Sequence, residues 1–207
     1  MNTHCLFFGD SITFGEHDEI FGGYVDSLKR YCFDQYKNHS KNEVSCFNLG
    51  IGGETTFGLI KRFEIETNAR LSTDNNVFFF FYGANDLVVK DGTELVSISQ
   101  FEDNLMTVIA QAKQYSDQIY ILSIVPISEK NDGVIMASGK VRTSERINLF
   151  NETLLKISQK NEVQFINLYP KFINQKEEFL SRDGVHPNHK GYDFIANTIK
   201  PILNSFF

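Results

Sequence analysis

Tryptophan is missing from the 207 residues, proline occurs only four times and cysteine three times. So little proline, with 42% hydrophobic and 22% charged residues, excludes a fibrous or disordered chain and describes a folded globular protein. Cys5, Cys32 and Cys46 form no Cys-x-x-Cys pair and cannot all be bridged with one another, so buried reduced thiols and a reducing compartment are expected. Long apolar runs are also lacking. The longest, "VFFFFY" at 77–82, falls far short of the ~20 residues that span a bilayer and reads as a buried strand. There is no basic excess either: the net charge is −6, and the lysines and arginines are scattered, which argues against nucleic acid as a partner. Met1 to Thr3 lead straight into "HCLFFG", without a basic leader, apolar stretch and small-residue cleavage site, so the expected location is the cytoplasm. What the chain has in abundance is phenylalanine, twenty of them, a bias that points to core filling rather than to a site.

The length suits a single domain over 1–207. Short continuous apolar runs stand at 5–9, 44–50, 76–83, 118–125 and 163–169, each ending in glycine, proline or polar residues. Continuous rather than alternating runs suit parallel strands covered on both faces. Between them lie stretches of helical spacing, with Leu105, Val108, Ile109 and Ala112 recurring within 101–115 and Ile147, Phe150, Leu154 and Ile157 within 145–160. Strand then helix, repeated, predicts a doubly wound five-stranded parallel α/β sheet, whose ligands bind outside the carboxyl ends of the strands.

Those strand ends carry the chemistry. "GDSITFG" follows the first strand, "GIGGETT" the second, "GANDLV" the third, and "RDGVHPNHKGY" lies between the fifth strand and the last helix. A serine attacks an acyl carbon well only when a base removes its proton in the transition state. His186 is the base for Ser11, and Asp183, three residues earlier, is placed to reach Nδ1 and leave Nε2 facing the serine. Pro187 keeps His186 out of the helix that follows. An oxyanion hole needs donors, and three are at hand: the Asn85 side-chain amide, the Gly53 backbone N–H and the Ser11 backbone N–H. Asp86 and Asp10 read as local structure, Asp10 fixing the loop that carries Ser11.

Four blocks in this order, spanning positions 9 to 186, resemble the GDSL, or SGNH, hydrolase family: "GDSIT", "GGET", "GAND" and "DGVH". The resemblance implies Ser11 as nucleophile, His186 as base, Asp183 as its partner, and Gly53 and Asn85 as oxyanion donors; aligning "GGET" favours Gly53 over Gly52. It implies a three-layer α/β/α sandwich of the flavodoxin-like kind and metal-independent hydrolysis of esters or thioesters.

The leading expectation is therefore a serine esterase acting on a small-molecule acyl ester, acetyl or similar, through an acyl-enzyme and with no cofactor. A thioesterase or lysophospholipase for longer chains is the alternative, and a non-catalytic carbohydrate- or lipid-binding module is the reading from another class. His189 completes a D-x-x-H-x-x-H spacing that suggests metal ligands, but the serine arrangement already accounts for two of the three and no metal is expected. His4, His17 and His39 are assigned to surface or structural roles. The segment "PISEKNDGVIMASGK" (126–140) reads equally as a movable wall and as a plain surface loop, and the same alternatives apply to "DLVVKDG" after Asn85.

Overall fold

The computed structural model describes residues 1–39 and 41–207. In chain order it comprises β1 (Asn2–Gly9), α1 (Ser11–Phe14), α2 (Tyr24–Asn38), β2 (Glu43–Gly50), α3 (Thr56–Asn68), β3 (Asn75–Phe81), β4 (Val89–Lys90), β5 (Thr93–Glu94) and α4 (Ile98–Ala112). There follow β6 (Ile119–Leu122), β7 (Lys140–Val141), α5 (Ser144–Lys160), β8 (Gln164–Ile166), α6 (Tyr169–Ile173), α7 (Lys176–Phe179) and α8 (His189–Asn204). The main sheet has five parallel strands in the order β2-β1-β3-β6-β8. That is the flavodoxin-like order, with its switch point beside β1.

Alternation along the central strands explains why they are apolar throughout. Cys5 and Phe7 of β1, with Val77 and Phe79 of β3, face one layer, where α2 and α8 contribute Leu28, Tyr192 and Ile195. Leu6, Phe8, Phe78 and Phe80 face the other, against Phe63 of α3, Phe101 of α4 and Phe150 of α5. The register pairs Phe7 with Phe79 and Phe8 with Phe80, and the first pair stacks with ring centroids 4.4 Å apart. The phenylalanines thus fill both layers of an α/β/α sandwich. Among the described residues no helix is long and apolar enough to cross a membrane.

The strands β3, β6 and β8 are shorter than their apolar runs. The run at 118–125 gives a strand of only four residues because Ser123 to Val125 stay buried after the chain leaves the ladder. The Asn151 side chain takes over there, accepting from Ile124 N at 2.7 Å and donating to Ile124 O at 3.0 Å. A second sheet, β5-β4-β7, is antiparallel and built of two-residue strands. Its β4 lies within "DLVVKDG" and pairs with β7, so that stretch anchors the end of the 126–140 segment; Leu87 and Val88 are buried.

Candidate active site

The chain turns sharply where β1 ends. A Cβ on Gly9 would sit 2.0 Å from Thr13 Oγ1 and 2.9 Å from the Phe81 carbonyl, so only glycine fits there. Asp10 then caps α1, its Oδ1 accepting from Ile12 N at 2.9 Å. Asp10 therefore has the local role expected of it. Burial pushes its carboxyl up to about 7, with the nearby Asp86 adding to the rise, against the Ile12 N–H and the charges of His186 and Arg142. Ser11, the first residue of α1, is buried except for its approach to the pocket.

Its partner arrives from the loop before α8. Ser11 Oγ and His186 Nε2 are 2.9 Å apart, and His186 Nδ1 lies 2.5 Å from Asp183 Oδ2. The other carboxylate oxygen accepts from Ser181 Oγ at 2.6 Å, Val185 N at 2.9 Å and His186 N at 3.0 Å. Burial alone would raise the Asp183 carboxyl, but the His186 bond, the Ser181 bond and the two backbone donors outweigh it and hold it far below the ordinary carboxylate range. An acid fixed as carboxylate at Nδ1 keeps the imidazole proton on that nitrogen and leaves Nε2 as an acceptor for the serine hydroxyl. Pro187 forms an isolated bridge with Leu180, and Asn188 caps α8 through Lys190 N and Gly191 N, so His186 stands outside the helix as its sequence suggests.

A profile of the GDSL-like lipase/acylhydrolase family matches residues 7–194. The chain belongs to that family. The isoamyl acetate-hydrolyzing esterase of Saccharomyces cerevisiae is 25% identical over 214 residues, covering 98% of this chain and 86% of the yeast protein. The structure of a lipase/acylhydrolase from Enterococcus faecalis has a TM-score of 0.78 and 23% identity, covering 98% of this chain and 95% of that one. An acetyl xylan esterase from Geobacillus stearothermophilus has a TM-score of 0.71 and 20% identity over 96% and 94%. This GDSL hydrolase is an ester-bond hydrolase.

In this hydrolase Ser11, Gly53, Asn85, Asp183 and His186 line one pocket of about 280 Å³. Gly53 has φ 75° in the turn after β2, with open space where a side chain would be. Asn85 Nδ2 donates to Asp10 Oδ2 and to the Glu54 carbonyl, each at 3.2 Å. Asn85 Oδ1 accepts from Arg142 Nη2 at 3.2 Å, while Arg142 Nε donates to the Ala84 carbonyl at 3.0 Å. Sequence reasoning missed Arg142, which follows β7 and reaches Asn85 only because β7 pairs with β4. Met136, Ser138 and Lys140 line the same pocket, so the 126–140 segment is one of its walls. Beside it, sharing Arg142 and Val185, lies a nearly filled apolar hollow of about 10 Å³, walled by Leu87, Ile124, Ile127 and Ile147.

Asp86 lies beneath the site, its Oδ1 accepting from Thr56 N at 2.9 Å and Thr56 Oγ1 at 2.6 Å, as its structural assignment anticipates. Its Oδ2 is buried without a partner, and burial lifts the carboxyl from 3.8 to about 6 against the Thr56 bonds. The folded state therefore holds this proton more tightly than the unfolded one, and stability falls as pH rises through that window, by about 3 kcal/mol. Asp86→Asn keeps the Oδ1 acceptor and removes the charge. Urea unfolding at pH 4 and pH 8 should show the variant gaining on the wild type at the higher pH, and a difference independent of pH would contradict the assignment.

Two further histidines acquire carboxylate partners. His189 turns from the Asp183–His186 pair to Asp18, Nδ1 to Oδ1 3.3 Å, so the D-x-x-H-x-x-H spacing does not converge on one point. His17, expected to have no partner, places Nε2 3.4 Å from Asp183 Oδ2, with its ring 5.1 Å from that of His186. Nothing local in "FGEHDE" signals that contact, which spans the whole chain.

Proposed function

We propose that this hydrolase cleaves small-acyl esters through a covalent acyl-enzyme, with Ser11 as nucleophile, His186 as general base and acid, and Asp183 as its orienting partner. The continuous Ser11–His186–Asp183 hydrogen-bond chain, opening into the pocket that Gly53 and Asn85 also line, carries the reading. Ser11 Oγ attacks the ester carbonyl as His186 Nε2 takes its proton. The negative charge that develops on the carbonyl oxygen is met by the backbone N–H groups of Ser11 and Gly53 and by Asn85 Nδ2. Both Asn85 donor bonds are at the long end of the normal range, so an oxyanion competes successfully for one of the two hydrogens. Arg142, on the amide oxygen, keeps the NH₂ end turned to the pocket. His186 then gives its proton to the departing alcohol, and the same residue deprotonates the water that releases the acid.

For the acyl size we take the apolar hollow, which shares Arg142 and Val185 with the pocket, as the place of the acyl group. At about 10 Å³ it has room for roughly one water, so a methyl fits with little adjustment and a long chain does not. The two acetyl-ester enzymes among the relatives and neighbours support the same preference. Acetyl and octanoyl esters of one alcohol, compared by kcat/KM, test it. The acetyl ester should lead by about tenfold or more, since a chain forced into a filled core displaces packed side chains; an octanoyl preference would make the longer-chain alternative the correct one.

A further inference from the structure

We propose that His17, Asp183 and His186 form an inhibitory site for a Zn²⁺-like divalent cation at the mouth of the active site. The ligand atoms that these three residues offer lie within 4.8 Å of one another. His17 Nε2 and Asp183 Oδ2 are 3.4 Å apart. Two ligands held at about 2.0–2.1 Å from a tetrahedral zinc ion are separated by about 3.4 Å, so this pair already has the bite of a zinc site. His17 is the member that makes the arrangement more than a serine-hydrolase dyad. Its backbone lies in the left-handed region, φ 71°, and its side chain is half exposed at an open cavity shared with Ser181, Arg182 and Asp183, so an ion can enter from solvent.

The third ligand comes from His186, and each of its nitrogens is already engaged. Nε2 faces Ser11 and Nδ1 faces Asp183. A cation bound through Nε2 displaces the serine; one bound through Nδ1 breaks the bond that orients the ring. Metal binding and hydrolysis are therefore mutually exclusive, and the ion inhibits. Glu16 Oε2, 3.9 Å from His186 Nε2, adds a second carboxylate within reach. Two imidazoles and a carboxylate favour zinc or copper over magnesium and calcium, which prefer all-oxygen sites. Arg182 borders the same cavity and opposes the ion, while Asp183 and Glu16 attract it. The site rests on reading His186 and Asp183 as the catalytic pair only for its inhibitory effect, not for the binding itself.

Calorimetric titration with ZnCl₂, run beside acetyl-ester hydrolysis, separates the two. The wild type should bind one Zn²⁺ per chain and lose activity in parallel, with chelator restoring it and Mg²⁺ leaving it unchanged. His17→Gln should weaken binding and inhibition together, by about tenfold or more. Ser11→Ala retains all the ligands and should bind zinc as the wild type does, so binding is measured even where no hydrolysis is. Absence of saturable binding, or binding that His17→Gln leaves unchanged, overturns the proposal. Zinc binding through His17 without any effect on hydrolysis would overturn the inhibitory reading and, with it, the role given to His186.

Discussion

Replacing Ser11 by alanine should lower turnover of an activated acetyl ester by about 10⁴-fold or more, with almost no change in the unfolding midpoint. The size follows from what is removed. In the proposed mechanism no acyl-enzyme forms without Oγ, and His186 is left to activate water against a carbonyl that the proposed donors at Gly53 and Asn85 can still polarise. That remainder accounts for a residual rate above the uncatalysed one. The fold should be indifferent, because the hydroxyl has one side-chain partner, His186 Nε2, at the edge of a solvent-accessible pocket. A phosphonate ester provides an independent view. Its phosphorus stands in for the acyl carbon, so the wild type should carry the adduct on the peptide containing Ser11 and the variant should carry none. Equal rates for the two proteins, or an adduct on another residue, would remove Ser11 from the nucleophile's place.

That experiment bears on residues that were legible in the sequence, and there is a physical reason for their legibility. Each of "GDSIT", "GGET", "GAND" and "DGVH" sits where an apolar run gives way to a loop or a helix begins, and a parallel sheet gathers such ends at one edge. The two long helices α4 and α5 were equally readable from their apolar spacing, although their starts lie earlier than the spacing alone implies. Ser97 with Gln100, and Thr143 with Arg146 N, supply the caps that set those starts. What the sequence does not announce is whatever depends on side chains meeting across elements. The two-residue strands β4, β5 and β7 have no period to detect. Arg142 acquires its place beside Asn85 only through that pairing, and His17 meets Asp183 only because α8 packs beside α2 and brings its preceding loop over α1. An arginine and a histidine in polar surroundings look like ordinary surface residues until the sheet is closed.

The same holds for Arg62, where the largest effect on stability is expected: Arg62→Ala should lower the unfolding free energy by about 3–5 kcal/mol. The guanidinium lies beneath the loop that carries Gly53. Its Nε donates to both Glu54 carboxylate oxygens at 2.9 Å, and its Nη2 donates to Glu54 Oε2 at 2.6 Å, the Leu49 carbonyl at 2.6 Å and Tyr82 Oη at 2.9 Å. Tyr82 Oη in turn donates to Glu54 Oε2 at 2.6 Å, and the cation rests over the Phe8 ring, 5.4 Å from its centroid. With side-chain exposures of 13% for Arg62 and 9% for Glu54, this is a buried ion pair, and deleting one partner strands the other charge in the interior. Denaturant unfolding of Arg62→Ala, Glu54→Gln and the double variant forms the necessary cycle. The double variant should recover part of the loss, because neutralising Glu54 removes the unpaired charge, and an additive pair of losses would mean that the two side chains act separately. Hydrolysis should fall as well in Arg62→Ala, even at temperatures where the variant is fully folded. The Glu54 carbonyl accepts from Asn85 Nδ2, so loosening Glu54 moves the proposed oxyanion donor and a neighbour of Gly53 together, a loss that should appear in kcat rather than in KM.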